Sequence, residues 1–166
     1  MRKILRIIIC ASLILFIINN SYAMGQWLQI IPKPKVAVDF SLYDLDGNKV
    51  SLDDYKGKQQ LILFFWTTWC PHCRRQIRPL NRLAEELKDK KVRILAIDTG
   101  ESAKKVKAFI ERRPVSFTIL LDKDSAVAGD YGVVGVPTFV IVALDGSIKF
   151  HDNYLPEDIE MILFNR

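Results

Sequence analysis

The run Leu61-Ile62-Leu63-Phe64-Phe65-Trp66 is apolar at every position, the pattern of a strand buried on both faces. From Cys70 to about Lys88 the period changes. Ile77, Leu80, Leu83, Ala84 and Leu87 recur at helical spacing, and Pro79 among them predicts a kink. Lys88-Asp89-Lys90-Lys91 then ends the helix as a solvated, dipole-matched terminus. Val92–Asp98 reads as a second central strand. Ser102 opens a helix to about Arg112, with Val106, Phe109 and Ile110 facing inward. Phe117–Leu121 is a third strand, Ser125–Tyr131 a short helix, and Gly135–Val142 leads into a fourth strand. Asp145-Gly146 turns the chain into Ser147–Phe150, and Pro156 starts a closing helix to about Phe164. Upstream, Val36–Leu42 alternates apolar and polar residues over its second half and predicts a strand. Asp46-Gly47 turns it back into Lys49–Leu52. Ser51 or Asp53 is positioned to cap a helical turn through Tyr55, ended by Gly57. Strands alternating with helices and closing on a hairpin imply an α/β sandwich with a mixed β-sheet.

Residues 1–23 stand outside this pattern. Arg2, Lys3 and Arg6 precede an apolar stretch of a dozen residues, Ile7–Ile18, followed by small residues at Ser21 and Ala23. These are the three parts of a secretory signal, cleaved after Ala23. An uncleaved membrane anchor is the alternative reading, although the stretch is short of the roughly 20 apolar residues a span needs. Cys10 lies inside the apolar stretch behind Ile9 and leaves with the leader. Residues 24–35, with Pro32 and Pro34, read as a lead-in, and 36–166 as one domain with a single core. Removing the leader lowers the net charge from +5 to +2, with 21 basic against 19 acidic residues. The basicity belongs mostly to targeting, and no nucleic-acid partner is expected. The expected location is periplasmic, or the outer face of a bacterial cytoplasmic membrane. Membrane contact is expected only if the leader is retained.

Export also leaves Cys70 and Cys73 as the only cysteines, in Trp69-Cys70-Pro71-His72-Cys73 at a strand-to-helix junction. An exported domain that used disulfides as staples would space its cysteines apart. One adjacent pair reads as a working redox pair. A sulfur on the residue before a helix sits at the positive end of the helix dipole, which favours the thiolate that attacks in disulfide exchange. Cys73, one turn further on, then attacks the mixed disulfide and releases the product. Pro71 suits the first helical position. A protonated His72 would further support the Cys70 thiolate. Zinc would need four ligands, which the chain does not offer. A permanent disulfide across so small a loop would add little stability.

Val136-Pro137 opens an otherwise buried strand, where proline cannot join the ladder. A cis peptide in a tight turn is one solution and an ordinary trans proline is the other. The cis form would leave the Val136 N–H and C=O free to pair with an extended substrate beside the cysteines.

Taken together, Asp39-Phe40-Ser41-Leu42 through Asp46-Gly47, then Phe65–Cys73, then Gly135-Val136-Pro137-Thr138 resemble the thioredoxin-like family. The resemblance runs from Val36 to Phe164 and points to the exported TlpA/ResA-like thiol-disulfide oxidoreductases. It implies a thioredoxin-like sandwich with an N-terminal β-hairpin extension. It makes Cys70 the nucleophile, Cys73 the resolving thiol and Pro137 a cis proline facing them, with Trp69, Val136 and Thr138 beside the substrate. Implied partners are cysteine-containing proteins and a membrane or exported redox partner. No cofactor and no metal is expected, and the chain is expected to be a monomer. As a reductant it would serve processes such as cytochrome c maturation; as an oxidant it would introduce disulfides.

The departures from the family pattern are local. The strand acid of thioredoxins is Phe64 here, the glutamate after the second cysteine is Gln76, and the helix proline falls one residue late, at Pro79. The usual proton acceptor for the resolving thiol is therefore missing, which leaves water or His72 to serve. Pro71-His72 and Val136 resemble DsbA-like oxidases, but no helical insert fits between Asp98 and Phe117. Stabilising the Cys70 thiolate stabilises the dithiol, so Pro-His implies a stronger oxidant than thioredoxin. Two other classes remain open on these residues. A peroxiredoxin-type peroxidase would use Thr67-x-x-Cys70. A copper-binding or chaperone module would use both cysteines and His72 as soft ligands. Of the remaining residues, Trp66 reads as core, Trp69 as core or a shield over the disulfide, His151 as a surface residue, and Arg74 and Arg75 as a solvated face.

Overall fold

The structure, a computed structural model, describes residues 33–164. The expected signal segment 1–23 and most of the lead-in lie outside them. The elements run β1 (Ser41–Asp44), β2 (Lys49–Ser51), β3 (Gln60–Trp66), α1 (Pro71–Glu86), β4 (Val92–Thr99), α2 (Ala103–Ile110), β5 (Thr118–Asp122), α3 (Ala126–Asp130), β6 (Thr138–Val142), β7 (Ile148–Asp152) and α4 (Ile159–Phe164).

The strands form one mixed sheet in the order β2-β1-β5-β4-β3-β6-β7. β3, β4 and β5 are parallel, with Leu63 opposite Leu95 and Ile97 opposite Leu120. The β1–β2 hairpin and the β6–β7 hairpin close the two sides antiparallel. β3 lies between β4 and β6, which is why Leu61–Trp66 has no polar position: both of its faces are covered. Successive side chains alternate between faces. Ile62, Phe64 and Trp66 pack with Ile77 and Leu80 of α1, Val106 of α2 and Ile159 of α4. Leu61, Leu63 and Phe65 pack with Val127 of α3, Tyr131 and Phe40 on the other side.

Three expectations need correction. The strand expected at Val36–Leu42 begins only at Ser41, and Val36 makes a single bridge to Ser147. The alternation there reports Phe40 turning into the core, but a ladder needs a partner, and β5 and β2 offer one only from Ser41 onward. The closing helix starts at Ile159 rather than Pro156, because the Asp158 carbonyl takes the first helical bonds, from Met161 and Ile162. His151 is within β7 opposite Val140, half-buried, with Nε2 2.7 Å from the Tyr131 carbonyl oxygen; it ties the sheet to the loop after α3 and is not a free surface residue. As expected from the helical period on both sides of it, Pro79 lies inside α1, which runs through it as one helix although proline gives no N–H to the ladder.

Candidate active site

β3 ends where α1 begins, and that junction carries both cysteines. Cys70 is extended (φ −73°, ψ 114°), Pro71 takes the first helical position, and the Cys70 sulfur accepts the Cys73 backbone N–H at 3.2 Å. The sulfur thus caps the helix as a serine oxygen would, satisfying an orphan donor at the positive end of the dipole. Both cysteines are free thiols, Cys70 4% and Cys73 0% exposed. Burial, reinforced by the hydrogen bond to the Cys70 sulfur, pushes the Cys73 thiol up to about 12. The outer sulfur is placed to carry negative charge, and the inner one holds its proton.

Facing Cys70 is the turn before β6. The Val136–Pro137 peptide is cis, and the Cys70 thiol donates to the Val136 carbonyl oxygen at 3.5 Å. Thr138 Oγ1 donates to the Gly135 carbonyl oxygen at 2.7 Å, which closes the turn from within. Asn153, just past β7, completes it. Its Nδ2 donates to the Pro137 carbonyl oxygen at 2.8 Å and to Thr138 Oγ1 at 3.0 Å. Nothing in the local sequence singled out Asn153; its role follows from the β6–β7 pairing.

Trp69 is 63% exposed beside Cys70, so it is not part of the core, whereas Trp66 is buried. His72 is exposed, and its Nδ1 lies 2.8 Å from an Arg75 guanidinium nitrogen on the same face of α1. Among the described residues, no three His, Cys, Asp or Glu side chains gather as a metal cluster.

Behind the sulfurs lies an acidic pair that the sequence reading passed over. Asp98 ends β4 in register with Trp66, and Gly100 (φ +80°) turns the chain so that Glu101 returns toward it. Glu101 is buried. Its carboxylate accepts the Thr68 backbone N–H, accepts from Thr68 Oγ1 at 2.9 Å, and pairs with Lys105 of α2. Burial opposes its charge, but hydrogen bonds from Lys105 and Thr68 outweigh that and hold it below the usual range. Asp98 is 0% exposed and goes the other way: burial, then the neighbouring Glu101, push it up to about 8. The Glu101 backbone N–H donates to its Oδ1 at 3.2 Å, while no well-formed hydrogen bond reaches Oδ2. An aspartate at the C-terminal end of an otherwise apolar central strand was the available signal.

Known proteins share the fold that carries this site. The AhpC/TSA family profile matches residues 34–151. The thiol-disulfide oxidoreductase ResA of Bacillus thuringiensis is 31% identical over 147 residues, covering 89% of this chain and 83% of its own length. The thioredoxin domain of a thiol-disulfide oxidoreductase from Bacteroides vulgatus matches with a TM-score of 0.68 at 30% identity, over 81% of this chain and 94% of that one. A secreted Mycobacterium tuberculosis disulfide oxidoreductase homologous to E. coli DsbE matches with a TM-score of 0.64 at 26% identity, over 73% and 90%. The chain belongs to the AhpC/TSA family, among its thioredoxin-like thiol-disulfide oxidoreductases.

Proposed function

We propose that Cys70 and Cys73 are the working pair of this oxidoreductase, acting outside the cytoplasm on disulfides of protein partners. Cys70 attacks a substrate disulfide, a mixed disulfide forms, and the first substrate thiolate leaves. Cys73 then attacks Cys70 and expels the second, so two electrons pass from the dithiol to the substrate. The reverse sequence oxidises a substrate dithiol. The thiols carry the electrons themselves and the reaction needs no cofactor. Reduction of cysteine-containing partners, as in cytochrome c maturation, is the setting that the resemblance implies. Its redox partner would be a membrane or exported protein.

The observation that carries this reading is the Cys70 sulfur capping α1 while facing the Val136 carbonyl oxygen across the cis turn. An extended substrate segment can pair with that turn and present a sulfur to Cys70, with the exposed Trp69 ring alongside. Export rests on the leader pattern of residues 1–23. The test is trapping. Cys73→Ser should accumulate a mixed disulfide on Cys70 when mixed with a disulfide-bonded peptide, and Cys70→Ser should not. Equal trapping by both variants, or by neither, contradicts the assignment.

A further inference from the structure

We propose that Asp98 is the group that takes the proton from Cys73 as Cys73 attacks the mixed disulfide. The proposal rests on Cys73 being the resolving thiol.

The need arises from burial. Cys73 is fully enclosed and its thiol holds its proton tightly, yet only the thiolate attacks. Phe64 on β3 and Gln76 on α1 do not ionise, and His72 is exposed and lies against Arg75. Asp98 lies on the correct face of the sheet. It shares its face of β4 with Ile94 and Ala96, which pack with Phe64, Trp66 and Cys73 in one cluster.

The stretch Trp66–Thr68 links the two sites. Trp66 is the register partner of Asp98, the Thr67 carbonyl oxygen accepts the Cys70 N–H at 3.4 Å, and Thr68 donates twice to Glu101. Buried polar groups are ordinarily partnered. Among the described residues four buried side-chain polar atoms have no partner, and three of them are Trp66 Nε1, Thr67 Oγ1 and Asp98 Oδ2. Two of the three belong to the stretch that starts at Asp98's register partner and runs on toward Cys70.

The charged and titratable groups around Asp98 are few. Glu101 lies on the loop after β4 and Lys105 comes from α2, while Cys73 of α1 packs in the cluster that holds Ile94 and Ala96 on the same face of β4. The residues opposite Asp98 in the neighbouring strands, Trp66 on β3 and Leu121 on β5, do not titrate. Burial, then the neighbouring Glu101 carboxylate, keeps Asp98 protonated up to about pH 8. The step balances as follows. The Asp98 carboxylate accepts the Cys73 proton, the Cys73 thiolate bonds to Cys70 Sγ, and the Cys70–substrate bond breaks with its electron pair on the departing sulfur. Asp98 then returns the proton to that thiolate or to solvent.

Stopped-flow reaction of the reduced protein with a nitroaromatic disulfide that releases a coloured thiolate separates the two cysteines. The first release reports attack by Cys70, and the second reports attack by Cys73. The second phase should rise with pH and level off above about 8, the value of Asp98. In Asp98→Asn it should slow by about tenfold or more near neutral pH and lose that inflection, with the first phase changing less than about twofold. Glu101→Gln should move the inflection to lower pH, and Asp98→Glu should restore it. A second phase in Asp98→Asn with the parent rate and inflection overturns the proposal, as does equal slowing of both phases. Absence of any first phase would instead overturn Cys70 as the nucleophile.

Discussion

The sulfur layer and the carboxyl layer both adjoin Trp66–Thr68, and they are built in contrasting ways. The sulfur layer is local. Four consecutive residues at a helix start place both thiols, and Cys70 is capped by a main-chain N–H three residues away. The carboxyl layer is assembled from a strand end, a glycine turn and the next helix. At the sulfur layer, backbone dipoles favour charge at the start of α1. At the carboxyl layer, burial suppresses charge on Asp98 and hydrogen bonds restore it on Glu101. The contrast teaches that a disulfide exchanger needs two electrostatic environments in series, one to present a thiolate and one to manage a proton.

Removing a sulfur breaks the comparison most completely. Cys70→Ser should abolish turnover of a disulfide substrate, a loss of at least about a thousandfold in initial rate. Cys73→Ser should keep the first attack and stop at the mixed disulfide.

Next comes the pH dependence of stability. The folded Asp98 value, about 8, is above the ordinary 3.8. Folding therefore favours its protonated form, and that stability is full below about pH 4 and is lost as pH rises toward 8. Denaturant titrations at about pH 5 and 9 should show Asp98→Asn removing this loss, a relative gain of a few kcal/mol at the higher pH. An unchanged pH slope would mean that Asp98 is charged in the fold.

Glu101→Gln should cost about 1–3 kcal/mol in urea unfolding, because it weakens the bonds from Thr68 and leaves Lys105 without its anion. Restored stability in a Glu101→Gln, Lys105→Met double variant would sharpen the claim that the lost charge pairing, not lost shape, sets the cost. The smallest effect is at the cis turn. Asn153→Ala should cost about 1 kcal/mol and slow exchange with peptide substrates more than with small disulfides, since only peptides need the turn.

The sulfur layer was legible in the sequence for the same reason that it is local. The cysteine spacing, the apolar run before it and the helical period after it all lie within one stretch, and β3 and α1 are found where those patterns put them. The carboxyl layer was not legible. Asp98 read as the last residue of a strand and Glu101 as the lead to a helix, and only the β3–β4 register brings them to the loop before Cys70. Asn153 was hidden likewise, 16 residues from the proline whose carbonyl it holds. The strand expected from Val36 failed because alternation encodes burial of a face and says nothing about a neighbouring strand.

The central claim is tested most directly by the reduction midpoint of the Cys70–Cys73 pair, read by counting thiols after equilibration in graded glutathione or dithiothreitol buffers. The capped sulfur at the start of α1 predicts a reversible two-electron midpoint above thioredoxin's roughly −270 mV and toward the −120 mV or so of DsbA. A midpoint at or below that of thioredoxin would contradict the thiolate-stabilising role given to the helix start. The absence of any reversible midpoint would contradict Cys70 and Cys73 as the working pair.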